Sequence, residues 1–428
     1  MTKIVLKADY IIISSQEQYE NAYIAIDNNK IIDISEKYLS KFKDYKYIDY
    51  SGHIIMPGLI DAHIHSYQVG NRGRNVKKSL LDWLNTHILP WESNLTPIKA
   101  RISALLAYSE MIESGTTTFS DFTSVNHVEE AFKAASQLGI RAFIGKTMMD
   151  FNAPDGLLET TENAINDSIR IMENWHNHNN GRLNFVLTPR FDLTCSNELF
   201  KKSVEVSNKY DLLMQTHVQE TKGELAFEME HYGKHAIKHL NDLGFITSKT
   251  LLAHCVWMDD EDFEIIKKTD SSVVHNPGSN MMLNSGVANI PKMIKEGINV
   301  AIGSDVVAYH NFNLFEQGRL TYNMHLLNSG FSALTPKDVF DMLTINGAKA
   351  LNIDDKVGTL EIGKEADLIV GKLRTHHYPI ANIIDNIILT FNKDDIVSAM
   401  VAGEFIYKDK KISFDKEKLL EDIKKFLK

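Results

Sequence analysis

His63 and His65 stand two residues apart in an apolar run, so on a strand both imidazoles project from the same face. Two imidazoles on one face can hold one metal ion. A third histidine and a carboxylate from another part of the chain would complete an N3O set suited to a divalent transition metal. An isolated His-x-His can equally be two polar residues on a strand edge. Here, though, further candidates recur at the ends of later apolar runs: Arg190, His217, His254, His275 and Asp305. Glu220 follows His217 by three residues, at a strand-to-helix turn. There it could shuttle a proton from an attacking water to a ring nitrogen or leaving group, or merely stabilise a helix N-terminus.

These residues must be brought together by the elements that carry them. Eight strand-like runs alternate with helical patterns: Gly58–Ile64, Thr116–Phe122, Arg141–Met149, Asn184–Leu187, Leu212–Val218, Thr250–Val256, Ser272–His275 and Asn299–Ile302. Intervening segments such as Asn197–Tyr210, with Ser196 as N-cap, have helical spacing. This alternation predicts an α/β protein with a (β/α)8 TIM barrel. In such a barrel the C-terminal strand ends form one mouth, where residues distant in sequence converge. Short strands with turns at both ends (Ile4–Leu6, Ala8–Ile13, Ala22–Ile26, Lys30–Ile34 and His53–Ile55; then Ala366–Val370 and Ile396–Phe405) predict a small β-sandwich domain built from both termini. Residues 1–57 plus 359–428 are assigned to it, with a closing helix over Lys416–Lys428, and residues 58–358 to the barrel.

The 428 residues, 43% hydrophobic and 24% charged, suit one barrel with an accessory domain. A net charge of -10 argues against nucleic-acid or anionic-membrane partners. Two cysteines, Cys195 and Cys255, form no disulfide framework, which points to a reducing cytoplasm. No signal-peptide pattern or bilayer-length apolar run is present. A homodimer is the general expectation for a symmetric soluble enzyme.

Met56-Pro57-Gly58-Leu59-Ile60-Asp61-Ala62-His63-Ile64-His65 resembles the first-strand signature of the amidohydrolase superfamily. His217-Val218-Gln219-Glu220-Thr221, Ala253-His254-Cys255, His275-Asn276-Pro277-Gly278-Ser279-Asn280 and Gly303-Ser304-Asp305 follow in the family's order. So do Asn346–Leu351 and Gly358–Leu368. Together they resemble the deaminase and chlorohydrolase branch across nearly the whole chain. The resemblance implies one divalent ion, Zn2+ or alternatively Fe2+, held by His63, His65, His217 and Asp305, with His254 orienting the attacking water. Binuclear relatives often carry a carboxylated Lys at the end of the fourth strand, where this chain has Thr188-Pro189-Arg190.

Thr188-Pro189-Arg190-Phe191 with Thr194-Cys195-Ser196, Arg141–Lys146 with Met149-Asp150, and Leu81–Leu84 with Pro90 and Glu92 look like guanine deaminases. By that resemblance Gln68, Arg190 and Phe191 would face a purine, and Glu220, His254 and Asp305 would carry out catalysis, with Glu220 also touching substrate. Gln68 can donate and accept, Arg190 offers a donor fork, and Phe191 can stack on a flat ring. The expected reaction is guanine to xanthine plus ammonia. The alternatives are deamination of 8-oxoguanine or of an S-adenosylhomocysteine- or adenosine-like substrate, and triazine hydrolysis. A catalytically dead scaffold fits poorly with a complete ligand set. This chain departs from the guanine deaminases at His275-Asn276-Pro277, where they have His-Cys-Pro. Arg72-Gly73 resembles nucleoside- and triazine-acting relatives, and the loop Val306–Asn311 matches neither group.

Overall fold

A computed structural model describes residues 2–73, 78–305 and 311–427. Its strands fall into two sheets of eight. The parallel sheet runs β5 (Leu59–Ile64), β6 (Thr116–Phe122), β7 (Arg141–Met148), β8 (Leu183–Pro189), β9 (Met214–Val218), β10 (Thr250–His254), β11 (Ser272–His275) and β12 (Val300–Ile302). Each strand pairs with the next in chain order. A parallel bridge between Ile64 and Asp305 brings the last strand back to the first, with Asp305 N–H donating to His63 O at 2.9 Å. All eight expected strands are present, and no end shifts by more than two residues.

The second sheet is mixed and joins both termini. Its order is β16 (Lys411–Ile412), β15 (Glu404–Lys408), β14 (Ile396–Val401), β13 (Leu368–Lys372), β4 (Lys46–Pro57), β1 (Lys3–Ile12), β2 (Gln18–Asp27) and β3 (Lys30–Ser35). Side chains alternate across a strand, and here the alternation sorts them between two cores. Ile54, Met56, Ile369, Ala399 and Val401 join the large core shared with the barrel helices. Ile55, Leu368, Val370 and Met400 point the other way, onto Leu6, Ala8, Ile11 and Ile24. This is the small β-sandwich part of the fold.

Two local expectations need correction. Ile4–Leu6 and Ala8–Ile13 form one strand, because a register shift between Ala8 and Tyr10 lets the chain pair with β4 without stopping. Ile396–Phe405 splits into β14 and β15, because Ala402 and Gly403 take left-handed φ of 47° and 77° and reverse the chain. A Cβ on Gly403 would lie 2.0 Å from Asn28 O, so that turn has no room for a side chain. Asn28, at φ 55°, makes the expected hairpin between β2 and β3. The closing helix spans Lys416–Phe426, capped by Asp415.

The two sheets are clasped by a buried ion pair. Arg141, at the start of β7, donates from Nε and Nη2 to Asp367 at 2.8 and 3.1 Å, and from Nη2 to Glu365 at 2.6 Å. Asp367 also accepts Ala402 N–H at 2.7 Å, which ties the β14–β15 turn to the same point. Removing one partner strands the other charge in the interior. Arg141→Met is therefore expected to lower unfolding free energy by about 3–5 kcal/mol, read from denaturant melts. A loss within the error of the melt would show that water takes over the carboxylates.

Candidate active site

His63, His65, His217, His254 and Asp305 meet at the C-terminal end of the barrel, and four of them are at least 97% buried. His63 Nε2 and His65 Nε2 lie 3.3 and 3.4 Å from Asp305 Oδ1. His65 Nε2 lies 3.1 Å from His217 Nε2. That last contact is not a hydrogen bond. His65 Nδ1 meets Phe122 O, and His217 Nδ1 meets Arg190 O, both at 2.7 Å. Each Nδ1 must therefore carry the proton and donate it, so two Nε2 lone pairs face each other. Burial and the neighbouring imidazoles hold both histidines well below their ordinary pKa, which keeps them neutral.

His63 has no hydrogen-bond partner at either nitrogen. Asp305 stays far below the usual carboxylate range; burial works against this, and the close imidazoles of His63, His254 and His65 outweigh it. Converging lone pairs beside an ionised carboxylate suit a divalent cation, so the residues present fit the implied metal.

Buried carboxylates pin the turns that carry these groups. Asp61 accepts from Ser304 N–H and Oγ–H, just before Asp305. Asp121 accepts from Ser66 N–H and Oγ–H, just after His65, and from Tyr108 Oη–H. Gln219, His254, Cys255 and Asp305 have left-handed φ of 50°, 79°, 49° and 56°. Such backbone costs of order 1–3 kcal/mol per residue and concentrates at functional sites.

Glu220 is buried beside this cluster. Its Oε1 accepts from Ser285 Oγ–H at 2.8 Å, and its Oε2 lies 3.4 Å from His254 Nε2. Burial and the charge on Asp305 push its pKa up to about 8, so its acid form persists at neutral pH. His254 Nδ1 meets Asn280 Oδ1 at 2.9 Å, which leaves Nε2 directed between Glu220 and Asp305 Oδ2, 3.8 Å away. Glu224 caps the helix Lys222–Tyr232 through Thr221 and also accepts Glu220 N–H at 3.1 Å, fixing the turn.

A partly open pocket faces these groups. Gln68, Arg190, Phe191, Glu220, His254 and Asp305 line it, with His65, His217, Leu80, Trp83, Leu84 and Leu283 supplying the rest. Every residue singled out as binding substrate therefore reaches one space. Of the metal candidates only His63 does not border it. His275 sits elsewhere, facing His325 with ring centroids 5.6 Å apart. Ser285 carried no motif signal; Glu224 stands three residues after Thr221, a capping-box spacing that could have found it. Glu92 stood in a motif without a role, yet it bridges Gln68 and Arg190. Residues 306–310 of the loop that matches neither group lie outside the described residues. Among the described residues no helix is long and apolar enough to cross a membrane.

An eight-stranded parallel barrel with histidines and an aspartate converging at its C-terminal mouth defines a metal-dependent barrel hydrolase. Residues 54–406 match the model of the amidohydrolase family, and the chain belongs to that family. It is 36% identical over 406 residues to the 5-methylthioadenosine/S-adenosylhomocysteine deaminase of Thermococcus sibiricus, covering 94% of this chain and 93% of the relative. It is 34% identical to the 5'-deoxyadenosine deaminase of Methanosarcina barkeri, covering 99% and 98%. Among solved structures, guanine deaminase from C. acetobutylicum, with guanine bound in its active site, superposes with a TM-score of 0.87. It is 29% identical, covering 95% of this chain and 100% of that one.

Proposed function

We propose that this hydrolase deaminates a purine base, with guanine converted to xanthine and ammonia. One observation carries the reading. One partly open pocket has the histidine–aspartate cluster and the buried Glu220 on its wall, together with Gln68 and the buried Arg190 guanidinium. A fixed cation donor of this kind suits a carbonyl-bearing ring.

His63, His65, His217 and Asp305 would hold one divalent ion, Zn2+ or Fe2+. Such an ion, when bound, polarises water and lowers its pKa toward neutrality. Asp305 Oδ2 and His254 Nε2 are placed to orient the water and take its proton as oxygen attacks the amine-bearing carbon. Glu220 donates its proton to the adjacent ring nitrogen. The proton taken from the water passes by way of Glu220 to the amine, which leaves as ammonia as the C–N bond breaks, and the hydroxyl's remaining proton restores Glu220 as the C=O bond forms. Phe191 packs against the ring, and Trp83, Leu80 and Leu84 exclude bulk water.

A second reading, deamination of an adenosine-like nucleoside, draws on the relatives at 34–36% identity. It also draws on a wider, more open space that shares Leu80 and Leu283 with the pocket and could hold a sugar. Ammonia release by the zinc-loaded protein from guanine, 8-oxoguanine, adenine, 5'-deoxyadenosine, S-adenosylhomocysteine and a triazine separates the two. Selective turnover of guanine is expected. Turnover of the nucleosides with none of guanine would replace the first reading by the second.

A further inference from the structure

Glu92 is fully buried on the short helix Leu89–Ser93, and the chemistry above gives it no task. Its carboxylate accepts from Gln68 Nε2 at 2.8 Å on Oε1, and from Arg190 Nη1 at 3.0 Å and Ser124 Oγ at 3.2 Å on Oε2. A carboxylate that faces a guanidinium offers only lone pairs. Gln68 must therefore turn its amide NH2 toward Glu92, which settles which end of the amide faces which way. Its carbonyl oxygen is left buried with no partner, in a side chain that lines the cavity. An unmet buried acceptor costs about 1–3 kcal/mol, a deficit that a donor on the ligand removes. Arg190, which can only donate, lines the same cavity.

We propose that Glu92 is a positioning residue that fixes Gln68 as an acceptor beside Arg190 as a donor, so that the cavity selects heterocycles with adjacent N–H and C=O groups. This inference rests on the purine-base reading and names its chemical basis. Guanine presents N1–H and O6 side by side, matching an acceptor next to a donor. An adenine nucleoside with its amine at the histidines offers only ring-nitrogen lone pairs, and Gln68 Oε1 would meet one of them unfavourably. The selected class is therefore the cyclic lactam that bears an exocyclic amine.

The test pairs guanine with 2-aminopurine, which carries the same reactive amine but lacks both the oxo group and N1–H. The zinc-loaded wild type is expected to favour guanine in kcat/KM by roughly a hundredfold or more, since a site built for a polar partner rejects analogues that lack it. Glu92→Gln puts an NH2 group against Gln68 or Arg190. It is expected to raise KM for guanine by about tenfold with a smaller change in kcat, and to shrink the guanine preference by about the same factor. Gln68→Leu, which leaves Glu92 and Arg190 paired, is expected to shrink the same preference. Calorimetric affinity for xanthine is expected to fall in parallel in both variants.

Equal losses on guanine and 2-aminopurine would make Glu92 a structural residue only and overturn the inference. So would an unchanged preference in both variants of an enzyme that turns over guanine. A wild type that ignores both bases but deaminates 5'-deoxyadenosine would overturn the purine-base reading itself, and this inference with it.

Discussion

Glu220→Gln is expected to lower kcat by roughly 10²–10⁴-fold while the fold and bound metal persist. The side chain keeps its volume and can still accept from Ser285 Oγ, but it can no longer deliver a proton to a ring nitrogen. The pH profile gives the second readout. In the proposed mechanism Glu220 acts as an acid, and burial beside Asp305 raises its pKa to about 8. Activity should therefore fall on the alkaline side as the proton is lost, at or below about pH 8, because a bound cation draws the value down. The residual activity of the variant should lack that limb.

The same shift has a stability consequence with a definite sign. Between the unfolded glutamate value of about 4.3 and about 8, the folded state binds more protons than the unfolded one. Stability from this group is thus full below the lower value and is lost as pH rises through the upper one. Glu220→Gln should escape that loss, so its melting temperature should gain on the wild type as pH rises. Full turnover by the variant would remove Glu220 from the proton path.

Chelation of the divalent ion is expected to abolish turnover and lower the melting temperature, with both restored by Zn2+ or Fe2+. The reason lies in the facing lone pairs of His65 and His217, 3.1 Å apart, and in the buried charge of Asp305. Without a cation these groups repel or stay uncompensated, so metal affinity and folding are coupled. His217→Ala and Asp305→Ala should take the metal content from one ion per chain to near zero, measured by elemental analysis beside thermal melts. Two ions per wild-type chain, or undiminished activity in a chelated enzyme, would refute the assigned ligand set.

Much of this site was legible in the chain because strand periodicity and barrel polarity are local rules. His63 and His65 two apart, His217 at the end of β9, His254 at the end of β10 and Asp305 just beyond β12 could be placed on one mouth without coordinates. The residues that tune them were harder to see. Ser285 lies in ordinary polar surroundings that do not tell that it donates to Glu220, and the Thr221-x-x-Glu224 spacing announces a helix cap but not that Glu224 also holds the Glu220 backbone. Likewise, no residue type announces a left-handed His254, Cys255 or Asp305, since that strain is imposed by the packed turns around it.

The sequence by itself determined the barrel, the terminal sheet and the set of residues at the mouth, since hydrophobic period and residue order are properties of short segments. Only the tertiary structure decided which nitrogens face each other, that Glu220 is dry enough to keep its proton, and that Glu92 orients Gln68. Those facts depend on distances of an ångström between residues 24 to 152 positions apart. They are fixed by packing and by the hydrogen bonds that buried groups must find, which no local pattern encodes.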